Sequence, residues 1–219
     1  MKALEMKFIT DSLKRDPKRK RKSGILIIPL MILSLLILST NVTFAHCDTM
    51  DGPVVKDAKI AIEKNNVNYV FKWIRPQEEN ELKNAFLLTM NVRILSTDAR
   101  ILADKYFFET LVRLHRSGEG VPFTGVKPSG TPIDEKILAA DKSIETGDLT
   151  PLMELVPKEA IPELKERFVK AMSLRDFDVN NVEAGRAYIE SYVQFFKFAE
   201  GEEEGHNEIS GDAHSVHNH

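Results

Sequence analysis

His46, Cys47 and Asp48 are consecutive, so an imidazole, a thiol and a carboxylate fall within three residues. If the chain is cut after Ala45, a free α-amine joins them. Amine, backbone nitrogen, imidazole and thiolate form a strong-field, square-planar donor set suited to nickel or copper. A bound metal drives the thiol to its anion, the form that ligates best. The competing reading makes Cys47 an ordinary exposed or packed thiol. A second donor group lies at the other end of the chain: His206, His214, His217 and His219 stand in an acidic tail that includes Glu202, Glu203 and Glu204. Such a tail chelates nickel, copper or zinc loosely.

The chain has six histidines, and the sixth, His115, is the only one inside the expected folded body. It lies on an apolar helical face, so it is either a satisfied core residue or the wall of a ligand pocket. One body histidine does not make a three-histidine zinc centre, and no Ser-His-Asp spacing, phosphate loop or His-Glu-x-x-His pattern is present. The chain therefore reads as a binding protein before it reads as an enzyme. Glu109 and Glu190 occupy matching helical positions, but a di-iron bundle needs Glu-x-x-His on its helices. Positions 112 and 193 are both Val, so these glutamates are expected in structural ion pairs or hydrogen bonds.

The donors at 46–48 matter only if the chain is processed and exported. Basic residues cluster from Lys14 to Lys22, Ile25 to Leu38 is uncharged and apolar, and Thr43 and Ala45 fit the −3 and −1 positions of a cut. That order is a secretory signal peptide. The alternative is an uncleaved amino-terminal anchor, although the apolar run is shorter than the roughly 20 residues of a spanning helix. Either way residues 46–219 are expected outside the inner membrane, periplasmic or extracellular, touching a membrane only through the amino-terminal segment. The whole chain has 30 basic and 33 acidic residues. Residues 1–45 hold 9 and 3 of these, which leaves 21 against 30 and a net charge of −9 for the remainder. That balance argues against nucleic acid as a partner. A lone cysteine makes no internal disulfide, so the fold must rest on packing.

The positioning elements read as helices. Asp51 is expected to cap a first helix with Pro53 in its first turn, stopped by Asn65 and Asn66. A short apolar piece, Val67 to Ile74, precedes a helix over 77–95, and Thr97 is expected to cap a helix to about Arg116. Ser117 to Thr131 is a long Gly/Pro-rich loop. Thr131 is expected to cap a helix over 132–146, a short piece begins at Thr150-Pro151, a helix covers 163–174, and Asn180-x-x-Glu183 opens the last helix to about Glu200. The class is all-α, and residues 201–219 are expected to be a disordered tail.

Residues 58–93 align without a gap on 140–175, at an offset of 82. Identities include Ala58/Ala140, Ile62/Ile144, Leu82/Leu164, Phe86/Phe168, Met90/Met172 and Arg93/Arg175. After one deletion, 106–112 aligns on 187–193. The reading is a helical bundle of two tandem pseudo-symmetric repeats, about 54–116 and 136–197, within a domain over 46–200. Each unit is too small to stand alone and buries its apolar face on the other. His115 then corresponds to Phe196, so an apolar residue serves where the first copy has an imidazole.

Two resemblances follow. His46-Cys47-Asp48-Thr49-Met50-Asp51-Gly52 resembles the amino-terminal hook of nickel superoxide dismutases, which reads His-Cys-Asp-x-x-Cys-Gly; Asp51 stands in place of its second cysteine. The resemblance implies an axial histidine and terminal amine at His46, and an amide and thiolate at Cys47. More broadly, His46-Cys47-Asp48-x-x-Asp51-Gly52-Pro53, Asn66-Val67-Asn68, the run from Tyr106 to Gly120, and Thr124-Gly125-x-Lys127-Pro128 are similar to a family of exported bacterial proteins of unknown function. That similarity implies export and an all-helical domain. Two functions are thus expected: binding of nickel, copper or zinc through His46, Cys47 and Asp48, or binding of a small molecule or protein by a helical module with no metal role.

Overall fold

The computed structural model describes residues 46–201; the expected signal segment and the histidine tail lie outside them. Among the described residues the regular structure is all-helical, with one isolated parallel bridge between Thr49 and Lys127. No helix there is long and apolar enough to cross a membrane.

Among the described residues eight α-helices follow in two runs. The first run is α1 (Pro53–Lys64), α2 (Asn68–Phe71), a 3₁₀ turn (Pro76–Glu78), α3 (Glu79–Val92) and α4 (Thr97–Gly118). The second is α5 (Glu135–Thr146), α6 (Thr150–Met153), a 3₁₀ turn (Lys158–Ala160), α7 (Ile161–Leu174) and α8 (Val182–Glu200). Through α7 every element of the second run starts and stops 82 positions after its counterpart. Within each run the last two helices form a hairpin, and the first helix packs on the last.

The core follows the apolar stripes. Leu82, Ala85 and Phe86 of α3 are buried against α4, where Phe86 and Phe107 meet at 5.4 Å between centroids. Leu164 and Phe168 of α7 are buried against α8, where Phe168 meets Phe195 at 5.6 Å. One contiguous apolar cluster joins both runs. The runs also meet through Asn180, whose Oδ1 accepts from Asn68 Nδ2 at 2.9 Å, and at Gly185. A Cβ on Gly185 would lie 2.9 Å from Phe177 Cε2 and 3.1 Å from Lys72 Cβ, so only glycine permits this approach.

Four caps differ from expectation, three of them because a polar side chain found another donor or acceptor. Asp51 does not cap α1; the N-cap is Gly52, and the Asp51 carboxylate accepts from Ser129 Oγ at 2.6 and 2.7 Å and Gly130 N at 2.8 Å. Thr131 does not cap α5; its hydroxyl donates to Pro128 O, and Asp134 caps the helix through Lys136 N. Asn181, not Asn180, caps α8, because Asn180 is spent on Asn68. Ser96 caps α4 by accepting from Ala99 N, which puts Thr97 at the first helical position.

Candidate functional site

Residues 46–52 fold as a tight strap. His46 O accepts from both Thr49 N (3.2 Å) and Thr49 Oγ1 (3.0 Å), and Gly52 N donates to Thr49 O at 3.0 Å. A Cβ on Gly52 would fall 2.1 Å from His46 O, so the strap closes only with glycine there. Its backbone then pairs with the Gly/Pro loop: Lys127 N donates to Asp48 O at 2.8 Å and Met50 N donates to Lys127 O at 2.9 Å. The Asp51 contacts hold the next loop residues, and these hydrogen bonds, from the Ser129 side chain first and Gly130 second, hold the Asp51 carboxyl below its ordinary range.

The strap places its three chemical side chains in different company. His46 Nε2 lies 2.8 Å from Asp141 Oδ2 of α5, while the other oxygen of Asp141 accepts from Tyr192 OH of α8 at 2.8 Å. Burial, and then the negative charge of Asp141, pushes the Tyr192 hydroxyl well above its ordinary value, so it stays a donor. Cys47 forms no disulfide. Burial first, then Glu119, Asp48 and Asp141, pushes its thiol far up. The thiol keeps its proton, so Cys47 is a weak nucleophile. Asp48 is buried with Oδ2 3.4 Å from Arg116 Nε, and its Oδ1 makes no hydrogen bond. Burial raises its carboxyl and the Arg116 guanidinium opposes that.

His115 belongs to the same neighbourhood. It is 5% exposed, and its Nδ1 lies 3.0 Å from Trp73 O. A carbonyl only accepts, so Nδ1 carries the proton, and in the neutral ring Nε2 is a bare lone pair. Nε2 has no hydrogen-bond partner; the nearest carboxylate oxygen, Glu119 Oε1, is 3.5 Å away. Glu119 Oε2 accepts from Arg116 Nη1 at 3.0 Å. Arg116 and Glu119 therefore connect His115 to Asp48, and the two candidate sites of the sequence become one cluster.

Two cavities flank Glu119. A small one of about 40 Å³ is lined by His46, Cys47, Glu119, Lys197 and Glu200, with Phe196 and Tyr192. A cleft of about 580 Å³ runs between Trp73–Arg75, the end of α4 and α8; His115 and Glu119 line it, as do Ile189, Val193 and Lys197. Glu119, Val193 and Lys197 border both. Glu190 lines the cleft, whereas Glu109 sits at another cavity, 3.8 Å from Lys105.

In this arrangement His46 Nε2 faces Asp141, and burial first, then the nearby carboxylates, pushes the Cys47 thiol up. Among the described residues no three His, Cys, Asp or Glu side chains are grouped to hold a metal ion. His206, His214, His217 and His219 lie outside the described residues. Sequence reading missed Trp73, Glu119, Asp141 and Tyr192. Glu119 had a signal, because His115-x-x-x-Glu119 is an i, i+4 pair on a helical face. Asp141 and Tyr192 had none, since only the packing of α5 on α8 brings them together.

A family model described as a family of unknown function, DUF6448, matches residues 51–198. The match spans the cleft and begins after His46, Cys47 and Asp48. No curated protein and no solved structure matches the chain.

Proposed function

Because the chain belongs to the family of unknown function DUF6448, whose description assigns no activity, we propose from geometry that it is an exported helical binding protein whose cleft holds a small organic ligand. One observation carries this reading: a buried imidazole with an unsatisfied nitrogen lines a cleft of about 580 Å³. Small-molecule sites are clefts of about 300–1,000 Å³, mostly apolar, with a few convergent polar groups. Trp73, Ile74, Ile189 and Val193 supply the apolar wall here, and His115, Glu119 and Lys197 the polar groups. The basic, apolar and small-residue order of residues 1–45 supports export.

The proposal extends to the origin of the site. The matching order and spacing of the two helical runs, together with the identities between 58–93 and 140–175, support an internal duplication. Phe196 then shows that an apolar ring serves at the position of His115, so the imidazole is not required for packing.

The experiment uses Trp73, the only tryptophan of the chain, which lines the cleft. A panel of small aromatic and aliphatic amines, acids and alcohols is titrated while Trp73 emission and the melting temperature are followed. At least one class is expected to shift both. His115→Phe should fold, and should lose at least about tenfold in affinity, near 1.4 kcal/mol. An unaltered response in His115→Phe, or no response to any class, contradicts the reading.

A second reading rests on the small cavity, where a thiol, an imidazole and the Glu119 and Glu200 carboxylates line one space. Burial first, then Glu119, Asp48 and Asp141, holds the proton on Cys47; those carboxylates would also favour a nickel, copper or zinc ion displacing it, although Lys197 lines the same space and opposes a cation. This reading predicts stoichiometric metal in the protein truncated after residue 201, and its loss in Cys47→Ser. Metal that survives Cys47→Ser contradicts it.

A further inference from the structure

Resting on the cleft reading, we infer that the group the cleft recognises is a protonated amine, an organic ammonium seated between His115 Nε2 and Glu119 Oε1. The Trp73 carbonyl fixes the proton of the neutral His115 ring on Nδ1 and leaves a lone pair at Nε2. That lone pair faces a carboxylate oxygen 3.5 Å away, beyond a hydrogen bond. With the ring neutral, two acceptors confront each other at a point closed to solvent beside the cleft, and a buried acceptor without a donor is costly. A guest that satisfies both must bring at least two hydrogens on one atom, or positive charge. An anion would meet a lone pair and a negative oxygen.

Three cations line the cleft, Lys72, Arg75 and Lys197; Lys72 also lies 5.7 Å from the Trp73 ring centroid, so a guest ammonium competes with these for the acceptors, although several nearby cations hold partners of their own. Arg116 contacts Glu119 Oε2 and Asp48. Lys72 is held 2.9 Å from Asp57, and Arg75 donates to Glu78. The indole of Trp73 meets the His115 ring edge to face at 5.7 Å, which adds an aromatic surface beside the proposed ammonium. A water molecule can also donate to both acceptors, but an ammonium that displaces it reproduces both hydrogen bonds and adds charge. The remainder of the guest lies along Ile74, Val121, Ile189 and Val193, so its body is carbon-rich.

The test compares three probes of one shape with the full chain at pH 7.5: benzylamine, benzyl alcohol and benzoate, read by Trp73 emission and melting temperature. Benzylammonium is expected to bind at least about tenfold more tightly than the alcohol, with benzoate weakest. Glu119→Gln, which keeps the side-chain shape, should remove most of the preference for the amine while leaving the alcohol nearly unchanged. His115→Phe checks the other acceptor and should weaken the amine by at least about tenfold. Tighter benzoate binding, or an amine preference that survives Glu119→Gln, overturns the ammonium assignment while the cleft stands as a binding site. If no probe shifts either signal, and the cleft-filling Val193→Trp behaves like the parent, both the assignment and the cleft reading fail.

Discussion

At the residue scale the first-run end of the cleft rests on Glu78. Burial pushes its carboxyl up, but hydrogen bonds from the Arg75 side chain and backbone outweigh that, and the net shift is downward. Arg75 N donates to Oε2 at 3.2 Å, and Arg75 Nη2 also donates to Ser117 Oγ at 3.0 Å. A depressed carboxyl binds its proton more weakly folded than unfolded. Its stabilisation is therefore present above the ordinary carboxylate value and is lost as pH falls through the depressed one. Glu78→Gln is expected to cost about 1 kcal/mol at pH 7, a modest figure because Arg75 is half exposed. Urea unfolding should show the gap closing as pH falls below the ordinary carboxylate range. A gap that persists in acid would mean the loss is one of packing, not charge. His115 illustrates the limit of the sequence at this scale. Its helical face was legible from the spacing, but its open Nε2 depends on a carbonyl 42 positions away, and no local pattern encodes that.

At the element scale the helices were largely legible, because apolar periodicity and breakers at Asn65, Pro76, Gly147 and Pro162 act locally. The caps were less so. Asp51, Thr131 and Asn180 all have side chains that suit an N-cap; Asp51 and Asn180 take partners supplied by tertiary contact instead, and Thr131 turns back to the carbonyl of Pro128 in its own loop. The strap was legible only as chemistry. His46, Cys47 and Asp48 read as a free hook, yet pairing with Lys127 and the turn at Gly52 fold them against the body. The close approach of the two runs at Gly185 gives a prediction at this scale. Gly185→Ala gains helix propensity of about 1 kcal/mol, but its Cβ must displace Phe177 or Lys72. Overpacking of this kind costs about 1–3 kcal/mol, so the net effect expected in thermal and urea unfolding is destabilisation. A stabilised variant would show that the Phe177 ring swings away and that α8 is not held tightly there.

At the scale of the whole molecule, the site exists because unlike pieces of chain converge. Trp73 and His115 come from the first run, Asp141, Tyr192 and Val193 from the second, and Asp48 from the strap. Each run contributes a helical wall, and the Gly/Pro loop, for which the second run has no counterpart, leaves α4 at Glu119. The sequence placed His115 and the amino-terminal donors at two separate sites; the fold joins them through Arg116 and Glu119. Recognition of an amine turns on the state of one atom, His115 Nε2. The most direct measurement is the ¹⁵N resonance of the His115 imidazole in uniformly labelled protein at pH 7.5, before and after benzylamine. The account predicts a proton on Nδ1, a bare Nε2 before addition, and a shift of Nε2 when the amine binds. A proton on Nε2 in the neutral ring, or an Nε2 resonance that benzylamine leaves unmoved, would contradict it.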